Sequence, residues 1–134
     1  MILVKDFQTE TTIPIQGTFD IAKARHVVRT AVILRRWPIT FNARVAAAIT
    51  ALGEIIIATG SGSATPLRIE ILDQEFKQGI SLQFSLIGTD LDLSSLRAKQ
   101  SRLASAVDEM NVEGRANRLE IAVALHLQQK DRSR

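Results

Sequence analysis

The run Thr59-Gly60-Ser61-Gly62-Ser63-Ala64-Thr65-Pro66 has the small residues from which phosphate-cradling loops are made. A P-loop also needs a lysine followed by Ser or Thr, and it opens into a helix. Here no lysine is present, and the next residues, LRIEI, read as a strand. The run is therefore expected to be a flexible connection. His26 and His126 are the only histidines. A general base needs a substrate within hydrogen-bond reach and usually an orienting partner; the sequence supplies no such partner for either. Asp73 with Glu75, and Asp90 with Asp92, are i,i+2 carboxylate pairs at strand ends. They can meet a divalent cation, but no calcium-loop spacing surrounds them. Asp108 and Glu109 are expected to end an exposed helix face. Glu54 is the one acid in the apolar part of a helix, and burial there would require compensation. These residues assign no catalytic, cofactor or metal site. The absence of cysteine excludes disulfides, thiolate nucleophiles and the usual zinc or iron-sulfur ligands.

The basic residues are more organised. Lys23, Arg25, Arg29, Arg35 and Arg36 fall in one helical segment, and Arg97, Lys99 and Arg102 in another. Because 17 Lys and Arg face 14 Asp and Glu, the formal charge is only +3. That bias permits anionic partners without requiring them. No helix-turn-helix signature or aromatic strand pair accompanies it, and acids are interspersed, which argues against nucleic acid.

These groups must be positioned by a modest scaffold. With 134 residues the chain fits a single domain, 1–134. Apolar residues make up 46% and aromatics 4%, so the core must be aliphatic. The start, MILVKDFQTE, shows no cleavable signal pattern, and no apolar segment runs uninterrupted for about 18 residues. A cytoplasmic protein without a membrane span is expected, with a short flexible tail from about residue 128.

Thr9 to Gln16 reads as an edge strand, where Pro14 is tolerated because it cannot donate to a ladder. The segment FDIAKARHVVRTAVILRRW reads as a helix capped by Thr18 or Asp20, with Ile21, Ala24, Val28, Ala31 and Val32 at three- and four-residue steps. Pro38 ends it. A second helix, FNARVAAAITALGEIIIA, follows an N-cap at Thr40. A strand over EIIIAT is the alternative, but the helical pattern begins well before it and no turn signal stands at Gly53. Ile55, Ile56 and Ile57 cannot share one direction, so this helix should be covered on more than one side. Gly53 costs roughly 1 kcal/mol of helix propensity against alanine. PLRIEILDQ and KQGISLQFSLIG alternate as two strands of a hairpin. SSLRAKQSRLASAVDEM reads as a helix capped by Ser94 or Ser95, and NRLEIAVALHL as a final strand that closes the sheet. The order is β-α-α-β-β-α-β, an α+β two-layer sandwich of a mixed or antiparallel sheet with helices on one face.

In this order, FDIAKARHVVRTAVILRRWPITFNARVAAAITALGEIIIATG resembles the first two helices of the anti-sigma-factor serine kinases. These are the switch-kinase branch of the histidine-kinase-like ATPase superfamily. RLASAVDEMNVEGRANRLEIAVALHL resembles the end of that fold: a helix closing in an acidic turn, a short strand, a Gly-containing turn and a last strand. The resemblance spans about Thr11 to Gln128. It places the family's water-activating Glu at Ala51 and its magnesium-binding Asn at Ile55; a shifted register supplies Glu54, followed four residues later by Ala58. The family's D-x-G-x-G box falls on Leu86-Ile87-Gly88-Thr89-Asp90, which keeps one glycine and loses the adenine-reading Asp. Its Gly-rich lid is replaced by LDLSSLRAKQ.

The resemblance thus implies a degenerate member without ATPase or kinase activity. It would be a regulatory, protein-binding module of the anti-sigma or partner-switching kind, and homodimerisation is plausible for the same reason. Arg25, Arg29, Arg36 and Trp37, with the edge strand near Thr12 to Gln16, are the expected partner surface, and a structural role for Trp37 stands equally beside that. Two alternatives stand beside this: a nucleotide or anion binder using Gly88, Asp90 and the TGSGS loop, and a structural subunit completed by an active kinase-like relative.

Overall fold

The computed structural model describes residues 9–59, 63–87, 93–115 and 117–127. The elements run β1 (Thr9–Ile15), α1 (Thr18–Leu34), α2 (Ile39–Thr59), β2 (Thr65–Asp73), β3 (Gln78–Ile87), α3 (Leu93–Ala106), β4 (Glu109–Arg115) and β5 (Arg118–His126). The five strands form one open sheet in the order β1-β2-β3-β5-β4, and every neighbouring pair is antiparallel. The fold is α+β.

Register explains how one face becomes the core. Ile71 pairs with Ile80, and Ile80 with Leu125; in the next row Ile69 pairs with Leu82, and Leu82 with Val123. Phe84 opposite Ile121 and Leu86 opposite Leu119 continue the pattern. All ten side chains are buried. Because side chains alternate along a strand, a slip of one residue would turn every one of them to solvent. The other face carries Arg68, Gln83, Ser85 and Glu120, and Arg68 pairs there with Glu10 across β1 and β2.

The helices cover the apolar face. α1 buries Ile21, Ala24, Val28, Ala31 and Val32, the stripe its periodicity predicts. Its N-cap is Gly17, not Thr18 or Asp20. Asp20 stands at the third helical position, and its Oδ2 accepts the backbone N–H groups of Gln16 (2.9 Å) and Gly17 (3.1 Å). Those donors hold its carboxyl below the ordinary carboxylate range. The helix ends before Pro38, in a Schellman turn. Trp37 N–H donates to the Val32 carbonyl at 3.1 Å and Arg36 N–H to that of Ile33 at 3.0 Å. This geometry puts Arg36 in the left-handed region, φ 59°, where glycine is the usual occupant.

α2 begins at Ile39, one residue before the expected cap at Thr40. Its first turn is held by the Pro38 carbonyl, which accepts from Phe41 N (3.1 Å) and Asn42 N (3.3 Å). EIIIAT is helical. Ile55 and Ile56 are buried, whereas Ile57 is 40% exposed. By length and composition Ile39–Ala58 is apolar enough to cross a membrane, with a mean hydropathy of 1.5. In this fold Phe41, Val45, Ala48, Ile49, Leu52 and Ile55 use that character in the core. Gly53 also has a packing reason: a Cβ there would stand 2.4 Å from Ile21 Cγ1 and 2.5 Å from its Cδ1.

The last third departs from expectation. α3 starts at Leu93, ahead of either serine expected to cap it, and stops at Ala106. Met110, the last residue of the segment read as a helix, belongs instead to β4, a strand absent from the order β-α-α-β-β-α-β. Consequently β5 does not close the sheet but lies between β3 and β4.

Gly53→Ala should lower stability by about 1–3 kcal/mol in denaturant unfolding, because overpacking against Ile21 outweighs the gain in helix propensity. In an Ile21→Ala background the same change should be neutral or stabilising; an equal penalty in both backgrounds would contradict this contact.

Candidate functional site

Of the positions that the sequence resemblance assigns to nucleotide chemistry, Ile55 and Leu86 lie in hydrocarbon and Ala51 lies in the floor of an open groove. Ile55 is fully buried on α2, Ala51 is 8% exposed one turn earlier, and Leu86 is 5% exposed at the end of β3. None can polarise water or ligate a metal ion. Glu54 projects from α2 to solvent, with its Oε1 3.7 Å from Arg102 Nη1 on α3. Both groups are well exposed, so this pair contributes little stability. Between α2 and α3 runs an open groove of about 760 Å³, floored by Ala43, Ala47, Ala51 and Ala106 and edged by Arg44, Thr50, Glu54 and Arg102. Gly88, Asp90 and Asp92 lie outside the described residues, as do Gly60, Ser61 and Gly62 and the tail from residue 128. The anion loop and the second carboxylate pair expected there are therefore not placed. Asp73 is engaged by Arg35 Nε at 3.3 Å and Gln78 Nε2 at 3.0 Å, while Glu75 is exposed in the hairpin. Among the described residues no group of three or more His, Asp or Glu could hold a metal ion.

The partner residues expected on α1 separate into two kinds. Arg25, Arg29 and Arg36 are exposed. Arg25 Nη1 donates to Thr50 Oγ1 on α2 at 2.9 Å, so its guanidinium bridges the two helices. Trp37 is only 8% exposed. Its ring meets Phe41 edge-on, with centroids 5.5 Å apart and planes at 87°, beneath the Arg35 guanidinium at 5.9 Å. Of the two roles that the sequence leaves open for Trp37, partner contact and packing, the structure supports packing in the core. The Schellman turn is the cause, since its outer residue folds back on Val32.

A second cluster was invisible in the sequence. Asp108 Oδ2 accepts from Arg44 Nη2 at 2.8 Å and from the backbone N of His126 at 2.7 Å. His126 Nε2 lies 2.6 Å from Glu109 Oε2. So His126 does have an acidic partner, brought across from β4, and Asp108 and Glu109 do not end a helix. Arg44 is 64 residues from Asp108 and His126 is 18, which puts these pairings beyond any local pattern. Glu109 is largely exposed, and these pairings join α2, β4 and β5. His26 is exposed on α1 and lines a separate, shallow groove with Arg25 and Arg29.

Comparison with protein-family models gives no match to this chain, and a search of curated proteins gives none either.

Partial burial pushes the Asp108 carboxyl up, but the His126 N–H and the Arg44 guanidinium outweigh it and hold it below its ordinary value. A carboxylate lowered on folding adds stability above its unfolded pKa and loses it as the pH falls through the folded one. Asp108→Asn should therefore cost on the order of 1 kcal/mol at neutral pH, and the difference from the parent should vanish progressively below about pH 4. Urea unfolding across that range checks it; a difference independent of pH would exclude the charge as its source.

Proposed function

We propose that this chain is a non-catalytic regulatory module that works by binding another protein. In this reading its scaffold is that of a histidine-kinase-like ATPase domain, of the anti-sigma or partner-switching kind. The observation that carries the reading is the hydrocarbon at Ala51, Ile55 and Leu86, the positions where the resembling family presents Glu, Asn and Asp. Buried Leu and Ile stabilise the scaffold by about 1.5–3 kcal/mol each without a ligand. They also occupy the region in which an adenine amino group and a hydrated cation would need polar partners. The element order βααββα followed by two strands supports the reading, because the family's closing pattern has the same sequence of pieces.

A domain without such chemistry acts through its surface. The exposed arginines of α1 and the edge strand β1 are the surfaces through which it would engage a partner, in the cytoplasm, as a monomer or a homodimer. Binding would rest on a few arginine and apolar anchors.

Calorimetric titration of the full chain with ATP and with ADP, in the presence of magnesium, tests the loss of nucleotide function. No saturable heat is expected. A saturable, magnesium-dependent isotherm would overturn the reading in favour of a nucleotide-binding protein.

A further inference from the structure

A cationic groove runs between α1 and α2. It is lined by Ala22, Arg25, His26 and Arg29 of α1 and by Asn42 and Ala46 of α2, and encloses about 290 Å³. None of these lining residues is acidic. Two nearby acids of the same helices are turned to other work. Asp20 is held by the N–H groups of Gln16 and Gly17, and Glu54 faces Arg102 on α3. Arg25 reaches over the groove to Thr50. Helical periodicity then extends both walls in the same direction. One turn beyond Arg29 stands Ile33, and one turn before Asn42 stands Ile39. Their side chains are 60% and 80% exposed. Along the two helices the cationic groove is thus followed by two exposed isoleucines.

We infer that this groove docks an acidic, amphipathic segment of a partner protein, with carboxylates on Arg25 and Arg29 and a bulky apolar side chain against Ile33 and Ile39. The inference rests on the reading of the chain as a protein-binding module. Charge complementarity sets the sign of the partner, since guanidinium groups pair with carboxylates through two parallel hydrogen bonds. The isoleucines set its class. A nucleic-acid backbone or free phosphate satisfies the arginines but leaves two large aliphatic side chains in water. A peptide that carries both kinds of group covers both. Steering by the cations makes the association depend on salt.

The test uses the full chain and a defined probe: a fluorescein-labelled helical peptide of about 16 residues, with Glu along one stripe at i,i+4 spacing and two leucines at one end. Fluorescence anisotropy should show saturable binding that weakens with salt, and amide NMR shifts should fall on residues 22–33 and 39–46. R25E/R29E and I33D/I39D should each weaken binding at least about tenfold. All four side chains are exposed, so both variants should keep the parent circular dichroism spectrum. The proposal is overturned if no peptide binds, if neither double variant matters, or if a Lys-for-Glu peptide or a single-stranded oligonucleotide binds equally well. Shifts confined to the α2–α3 groove or to β1 would overturn this groove but leave the protein-binding reading in place. Saturable magnesium-ATP binding would overturn that reading whatever the peptide does.

Discussion

The fold depends on the burial of α2. This helix of 21 residues touches the sheet through β1 and β3 and is flanked by α1 and α3. Ala48, Ile49, Leu52 and Ile55 have no solvent exposure. Burying large aliphatic side chains against the alternating Ile, Leu and Val of the sheet contributes about 1.5–3 kcal/mol apiece. The alanines and Gly53 set how close the neighbours come; Ile21 of α1 sits where a Cβ on residue 53 would be. The same close approach makes the layer sensitive to a single added methyl group.

Two polar links tie this layer to the sheet at one end of the molecule. Arg35, at the end of α1, pairs with Asp73 at the end of β2. Arg44, near the start of α2, pairs with Asp108 ahead of β4, and Asp108 in turn receives the His126 N–H from β5. These links use the inward-facing arginines. Arg25 and Arg29, on the solvent side of α1, line the α1–α2 groove, where Arg25 also reaches Thr50 of α2. Arg36 is held in a left-handed turn that favours glycine. Backbone strain of this kind, of order 1–3 kcal/mol, is tolerated where the surrounding structure imposes it. Here the Schellman turn and the burial of Trp37 impose it.

The elements from β1 to β3 are legible in the sequence because their periodicities are long and clean. α1 shows a full apolar stripe, and β2 and β3 alternate without a break, so local pattern and tertiary burial agree. α2 was recovered despite its β-branched triplet because the helical period starts well before Ile55. β4 failed for the opposite reason. Its inward residues are Met110, Val112 and Gly114, of which Met110 and Val112 are only partly covered, and the helical period of α3 runs into them without a breaker. What ends α3 is tertiary: Asp108 and Glu109 are drawn to Arg44 and His126. The cap of α1 went astray because a glycine took the position while Asp20 served it from one turn inside. The role of Trp37 stayed open between packing and partner contact, since nothing in RRWP reveals a turn that folds the ring inward. The hydrocarbon at Ala51, Ile55 and Leu86 could be read from residue type alone; the acid-free lining of the α1–α2 groove required the pairing of two helices.

At Ile55 the helical layer is closed by hydrocarbon. The most direct measurement is the unfolding free energy of Ile55→Asn, by denaturant titration with and without magnesium-ATP. A buried, unpartnered amide in place of Ile55 should cost about 3 kcal/mol or more, undiminished by nucleotide. A variant as stable as its parent, or one whose stability returned with magnesium-ATP, would contradict a hydrocarbon-filled layer at this position.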